Sequence, residues 1–222
     1  MKILLVLPAG ENVRVTKERP FIPKRKMLRF SVLSLTIIAG LTPPEHEVRI
    51  VDENVEPLDF DLDVDVVGVT FMTALAPRAY EIAGRFRKRG KILVGGGFHP
   101  TLCPAEAKLH FDSIVIGDAE DVWPRVLRDI ESGNIRKSYR QASCANGNSL
   151  HSPISRRDLL NHTAKHYVTI NAVQTGRGCR HACRYCSVTA FHDQKHRNLP
   201  PNLYQTFLPG CSRQIVCELP AL

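Results

Sequence analysis

The sequence predicts an α/β fold, a flavodoxin-like doubly wound parallel sheet, over residues 1–135. Three observations predict it. Short apolar runs alternate with helix-patterned stretches through residue 133. The runs are almost continuously apolar, as in strands that helices cover on both faces. Several runs end in glycine-containing turns, where open α/β sheets receive their ligands.

The elements follow in order. Residues 2–7 (KILLVL) form a buried strand that ends at Pro8. Residues 31–41 place apolar side chains at helical spacing and stop at Gly40 and the Pro43-Pro44 pair. Residues 47–52 (EVRIVD) are a second strand. An acidic connector, 59–65, carries no helical pattern and leads into a third strand at 64–70 (VDVVGVT). Residues 77–89 are an amphipathic helix with Pro77 in its first turn and Gly90 past its end. Residues 91–94 are a strand running into Gly95-Gly96-Gly97. A short helix at 105–110, a strand at 113–116 and a helix at 120–132 closed by Gly133 complete the pattern. Five strands in this arrangement fit the spatial order 2-1-3-4-5. Residues 136–166, with CANGNS at 144–149, Pro153 and Arg156-Arg157, are expected to be a linker. Residues 167–173 (YVTINAV) return to strand character and open a third segment, 167–222.

Composition narrows the function classes. With 43% hydrophobic and 23% charged residues the chain is not wholly disordered. No apolar run reaches the ~18–20 residues of a membrane span. The opening MKILLVLPAG is short for a signal peptide and reads as a strand, so the expected compartment is the cytoplasm. The net charge of +8 is unevenly placed: residues 1–150 hold 21 Lys and Arg against 19 Asp and Glu, and residues 151–222 hold nine against three. No helix-turn-helix, RRM-like or zinc-finger pattern accompanies it, so nucleic acid is not the expected partner. A second basic run, 14–29, is either a solvated loop kept extended by Pro20 and Pro23 or a loop over an anionic ligand. In a reducing compartment the seven cysteines are expected to be core residues plus a metal site, not disulfides.

The strand ends at 8–10, 70–73, 95–101 and 117–120 are the expected ligand positions. Thr70 and Thr73 offer short hydroxyls there, and Gly95, Gly96, Gly97 and Gly117 allow backbone to approach a ligand. Further along, Cys179, Cys183 and Cys186 stand at C-x3-C-x2-C spacing, which lets three thiolates converge from one loop. Structural zinc takes four protein ligands, and His181, His192 or Cys211 offers the fourth. Three thiolates alone suit a [4Fe–4S] cluster with one iron left open.

With Tyr185 at its aromatic position, this loop resembles the C-x3-C-x-Φ-C motif of the radical S-adenosylmethionine (SAM) superfamily. The stretches PRAYEIAGRFRKRG (77–90), GGGFHPTLCPAEA (95–107), IGDAEDVWPRVLRDIESG (116–133) and SRRDLL (155–160) resemble the cobalamin (B12)-binding branch of that superfamily. The likeness extends over residues 1–197. It implies a [4Fe–4S] cluster on Cys179, Cys183 and Cys186, with the open iron holding the amino and carboxylate groups of SAM. It also implies one-electron cleavage of SAM, fed by a flavodoxin- or ferredoxin-type donor, and a corrinoid above the site that carries a methyl group or serves ring formation or rearrangement. The implied cofactor contacts are Thr70, Thr73, Gly95, Gly96, Gly97, His99, Pro100, Thr101, Gly117, Glu120 and Tyr185. His99 is expected against the nucleotide tail or in a structural role in preference to cobalt.

The chain departs from the family pattern in three places. No D-x-H-x-x-G follows the first strand, the first histidine being His46, so cobalt is expected without an imidazole ligand there. Gly117-Asp118-Ala119-Glu120 stands where G-E-x-E is usual. Past Arg197 the likeness stops, and the remaining barrel units and the segment that holds the SAM amino group have no counterpart. The expectation is a truncated enzyme unable to complete catalysis, with residues 174–222 docked only loosely. The alternatives are a non-catalytic cobalamin-binding module and a small metal- or nucleic-acid-binding protein with a zinc-like Cys/His site in a basic tail. The small-molecule substrate is not legible.

Overall fold

Along the first strand, Leu4 and Val6 face one core while Ile3 and Leu5 face another, all at most 1% exposed. Alternation of apolar residues on both sides of a strand demands cover on both faces. The computed structural model, which describes residues 1–16, 28–30, 32–141, 153–161, 166–169 and 174–198, supplies it.

The strands are β1 (Lys2–Leu7), β2 (Leu28–Phe30), β3 (Glu47–Asp52), β4 (Val66–Thr70), β5 (Ile92–Gly96), β6 (Ser113–Ile116) and β7 (Ser138–Arg140). Six of them make one parallel sheet in the order β3-β1-β4-β5-β6-β7. The five predicted strands take the predicted order. Helices α1 (Leu33–Leu41) and α5 (Trp123–Glu131) cover one face; α2 (Ala76–Arg87) and α4 (Pro104–His110) cover the other. Trp123, Val126 and Leu127 on α5 and Ile82, Ala83 and Phe86 on α2 are buried at the spacing of one helical stripe. The crossover from β3 to β4 is helix-free, as its acidic sequence suggests, and is anchored by buried Val55, Phe60 and Val64.

Several elements depart from expectation. A five-residue helix, α3 (Phe98–Leu102), follows the glycine turn. The last sheet helix begins at Trp123, three residues later than expected, after a turn over 120–122. The sheet runs on to Arg140, beyond the expected boundary at 135, because Tyr139 is buried against the α5 face and its hydroxyl donates to Asp129 Oδ2 at 2.8 Å. The stretch expected to be a linker therefore begins with an edge strand and also contains a helical turn at Arg157–Leu159 that packs near α1 and β3. Within the basic run, residues 28–30 form β2, which pairs in parallel with β8 (Tyr167–Thr169). Arg14, also in that run, donates to the Ala9 carbonyl at 3.3 Å. Residues 17–27, 31, 142–152, 162–165, 170–173 and 199–222 lie outside the described residues, as do the expectations that fall on them, the CANGNS stretch of the linker and Cys211 among them.

A hairpin completes the described chain. Strands β9 (Gly176–Gly178) and β10 (His196–Asn198) pair antiparallel and flank the cysteine loop and α6 (Ser187–His192). Asp193 and Gln194 adopt left-handed backbone, turning the chain from α6 into β10.

Candidate functional site

A cavity of about 390 Å³ opens at the carboxyl edge of the sheet, on the α1/α5 face. Its size lies in the range typical of small-molecule pockets. Leu5, Leu35, Val94, Val115 and Trp123 make its walls, and Thr70, Phe71, Met72 and Phe98 its rim. The space exists because two strand residues facing it lack side chains. A Cβ at Gly68 would meet the Leu5 side chain at 2.9 Å, whereas one at Gly96 would meet nothing nearer than 4.0 Å and would project into open volume. Gly97 has a different role: its φ of +97° and a Cβ position 2.8 Å from Thr70 Oγ1 leave no alternative residue for the turn. Gly95 faces the opposite core, where a Cβ would strike the Phe111 ring at 2.9 Å.

Of the expected cofactor residues, Thr70, Gly95, Gly96, Gly97, Gly117 and Glu120 come together around this cavity. Thr73, His99, Pro100 and Thr101 do not line it. His99 is 2% exposed on the other side of the β5 turn. Its Nε2 is 2.8 Å from the Tyr80 hydroxyl and its Nδ1 3.1 Å from Thr73 Oγ1, which accounts for both ring nitrogens. Thr101 ties two turns together: its hydroxyl donates to the Gly97 carbonyl at 2.8 Å and accepts from the Gly117 N–H at 3.0 Å. These four residues shape the wall from behind.

The cavity mouth is covered by the cysteine hairpin, which contributes Gln174, Arg177, Phe191 and His192. Phe191 meets Phe98 with ring centroids 4.6 Å apart. Charge then fixes the hairpin. Arg177 reaches Asp118 Oδ1 at 3.2 Å and Glu120 Oε1 at 2.5 Å, and Arg197 donates to the other oxygen of Asp118. All four side chains are about one-tenth exposed, so the pairs are screened little by water. Burial opposes the charge on Arg177, but Glu120 and Asp118 outweigh it and hold its pKa above the ordinary value. His192 lies 3.2 Å from Arg197 through Nδ1. A guanidinium only donates, so that nitrogen accepts and the proton of the neutral ring sits on Nε2. Burial, reinforced by Arg197 and Arg177 against the opposing pull of Asp118, holds His192 below its usual range. The expectation of loose docking thus fails for residues 174–198. The signal was in the sequence, in the pairing of Asp118 and Glu120 with Arg177 and Arg197, but it is not visible without the fold.

Cys179 and Cys186 are half-buried, Cys183 is exposed, and all three are free thiols. Tyr185 is 92% exposed and remote from the cavity wall. Backbone N–H groups of Thr189 and Val188 at the start of α6 lower the Cys186 pKa and favour its thiolate. Among the described residues, no three ligand atoms drawn from these cysteines and His181 or His192 lie within 4.8 Å of one another. Ligands of a single tetrahedral ion stand closer than that. Thiolates that each bind a different iron of a cluster have no such requirement.

Two buried carboxylates outside the cavity were not foreseen. Glu53 is fully buried, takes two hydrogen bonds from Arg78 Nε and lies 2.5 Å from Arg78 Nη2. Asp52 accepts a hydrogen bond from Tyr167, which joins β8 to the end of β3. Burial raises the Asp52 pKa, with the Tyr167 and Asn54 hydrogen bonds opposing.

Comparison with known proteins agrees with this geometry. Residues 29–127 match the family model described as the B12 binding domain. The chain is 33% identical over 175 residues to the bacteriochlorophyllide d C-8(2)-methyltransferase of Chlorobaculum tepidum, an alignment covering 77% of this chain and 39% of that protein. It is 30% identical over 168 residues to the C-12(1)-methyltransferase of the same organism, covering 74% and 37%. An uncharacterized methyltransferase of Synechocystis is 27% identical over 204 residues, covering 90% and 37%. The alignments thus span well under half the length of these relatives. The α/β fold with its parallel six-stranded sheet is consistent with the B12-binding match. Among the described residues no helix is long and apolar enough to cross a membrane.

Proposed function

We propose that this chain is the cofactor-binding portion of a cobalamin-dependent radical SAM methyltransferase. The cavity at the sheet edge would hold cobalamin, and Cys179, Cys183 and Cys186 would hold a [4Fe–4S] cluster that binds SAM. When bound, the cluster supplies the electron that cleaves SAM and the corrinoid carries the methyl group. The observation that carries this reading is the cavity itself, with its apolar wall and the vacant side-chain position at Gly96. It suits the flat aromatic base of the cobalamin nucleotide tail. The B12-binding match and the methyltransferase relatives point the same way.

The chain's own residues divide the work. Thr70 and the N–H groups of the glycine turn offer polar contacts at the rim. Arg177, Phe191 and His192 line the mouth, where they would shield a bound cofactor from water. The same Arg177 sits two residues before Cys179, so the arginine that covers the cofactor also positions the thiolate loop. Arg180 and Arg184 are exposed beside that loop and add positive charge near the thiolates. With Cys183 and Tyr185 exposed, the loop is open to a flavodoxin- or ferredoxin-type electron donor.

Titration of the full chain with hydroxocobalamin tests the reading. The expected result is a saturable change in the corrin spectrum and a raised melting temperature, worth about 2.7 kcal/mol at a hundredfold excess over Kd. Gly96→Val should abolish binding while leaving the free protein's stability intact, since its Cβ has room. No spectral change at millimolar ligand, or binding unaltered by Gly96→Val, would overturn it.

A further inference from the structure

We propose that His99, Cys103 and Glu106 form a separate binding site for a divalent transition ion, best suited to zinc, on the surface of α3 and α4. None of the three lines the cavity, and none belongs to the cysteine loop. The spacing i, i+4, i+7 places them on one helical face. Cys103 interrupts regular helix between α3 and α4, yet the hydrogen-bond course continues through it. Its N–H donates to the His99 carbonyl at 2.8 Å, and the Ala107 N–H donates to its own carbonyl at 3.1 Å.

The ligand atoms already converge: an imidazole nitrogen, a thiol sulfur and a carboxylate oxygen lie within 4.8 Å of one another. His99 Nε2 and Glu106 Oε1 are 3.7 Å apart. An ion with bonds of about 2.0–2.3 Å in tetrahedral geometry needs ligand separations of about 3.3–3.8 Å. A set of one sulfur, one nitrogen and one oxygen selects zinc or a neighbouring transition ion over magnesium or calcium.

Outer partners are in place as well. With Nε2 on the ion, the ring proton resides on Nδ1 and points to Thr73 Oγ1 at 3.1 Å. The Tyr80 hydroxyl donates to Glu106 Oε1 at 3.0 Å, which orients the carboxylate. A ligating histidine held through its second nitrogen and a hydrogen-bonded carboxylate are the usual supports of a bound ion. The ion displaces only the Tyr80–His99 contact. Glu106 is 53% exposed in its side chain and His99 is buried, so the ion enters from the Glu106 side and keeps one position open to water.

Alkylation of the full chain with iodoacetamide, read peptide by peptide with and without zinc sulfate, tests the site without confusing Cys103 with the loop thiols. Zinc is expected to slow Cys103 alkylation about tenfold or more. Glu106→Gln, a change at a surface-exposed side chain, should bring the rate to within about twofold of the zinc-free value. An unchanged Cys103 rate in zinc would overturn the proposal, as would protection that persists in Glu106→Gln. The outcome is independent of cobalamin binding, which uses the other face of the β5 turn.

Discussion

The sheet domain and the cysteine hairpin are held by different physics. In the domain, Phe86, Ile82, Leu93, Ile114 and Leu127 are at most 1% exposed and pack in two cores on either face of one sheet. In the hairpin only Arg197 is buried, and besides the Phe191–Phe98 contact what fastens it is a balanced set of two carboxylates and two guanidiniums around Asp118. Apolar burial is non-directional and tolerates small shifts. Buried ion pairs contribute only when each charge keeps its partner, because desolvation is costly. The domain is therefore built to persist, and the hairpin to be released or repositioned by the loss of a single charge. A lid over a cofactor mouth benefits from that difference.

The largest expected effect lies in the domain. Phe86→Ala should cost about 3–5 kcal/mol in urea unfolding, because the ring is fully buried against Phe60 and the strands. Cleavage within residues 174–198 should then rise along with it, since the hairpin has nothing else to dock on.

Asp118→Asn sharpens the contrast. It should leave the domain's unfolding free energy within about 0.5 kcal/mol. Tryptic cleavage at Arg177 and Arg180 should accelerate about tenfold, corresponding to roughly 1.4 kcal/mol of docking. Equal losses in both readouts would dissolve the distinction between the two regions.

Acid should act on the hairpin first. Burial holds His192 below its usual pKa, so the docked state binds fewer protons than the undocked one. Docking is then fully present above the ordinary histidine value of about 6.5 and is lost as pH falls toward the depressed one. Hydrogen exchange corrected for intrinsic rates should show residues 187–198 losing protection between pH 7.5 and 5.5 while β4 and β5 keep theirs. His192→Gln should flatten that response. The smallest effect concerns a thiol: the alkylation rate of Cys186 should level off at lower pH than that of free glutathione, since it sits at the α6 start with N–H groups favouring its thiolate.

Much of the domain was legible because its strands are local apolar runs, and local runs carry their own pattern. KILLVL and VVGVT announce themselves as strands, and the parallel order follows from their uniform burial. Short edge elements carry no such pattern. SYR at 138–140 is one buried tyrosine between polar residues, and LRF at 28–30 gains its identity from a partner far along the chain. At the site, the glycine turn and the three cysteines stood out by composition. Gly68 did not, since nothing local tells a glycine that empties a cavity from one that merely weakens a strand. His99 was drawn toward the cofactor by its neighbours in sequence, yet a helix start turns it to the opposite side of the sheet.

The pairing of β2 with β8 bears on how the chain is made. Leu28 faces Tyr167 and Phe30 faces Thr169, partners separated by roughly 140 residues. At about 5–20 residues per second, the ribosome needs on the order of ten seconds or more to deliver the second strand after the first. Throughout that interval the six-stranded sheet can assemble, while β2 waits with its edge unpaired and open to other strands. The tyrosine that closes the pair also donates to Asp52, so late arrival of Tyr167 both covers the edge and satisfies a buried carboxylate at the end of β3. Completion of the first domain is thereby timed to the emergence of the segment that carries the cysteine loop.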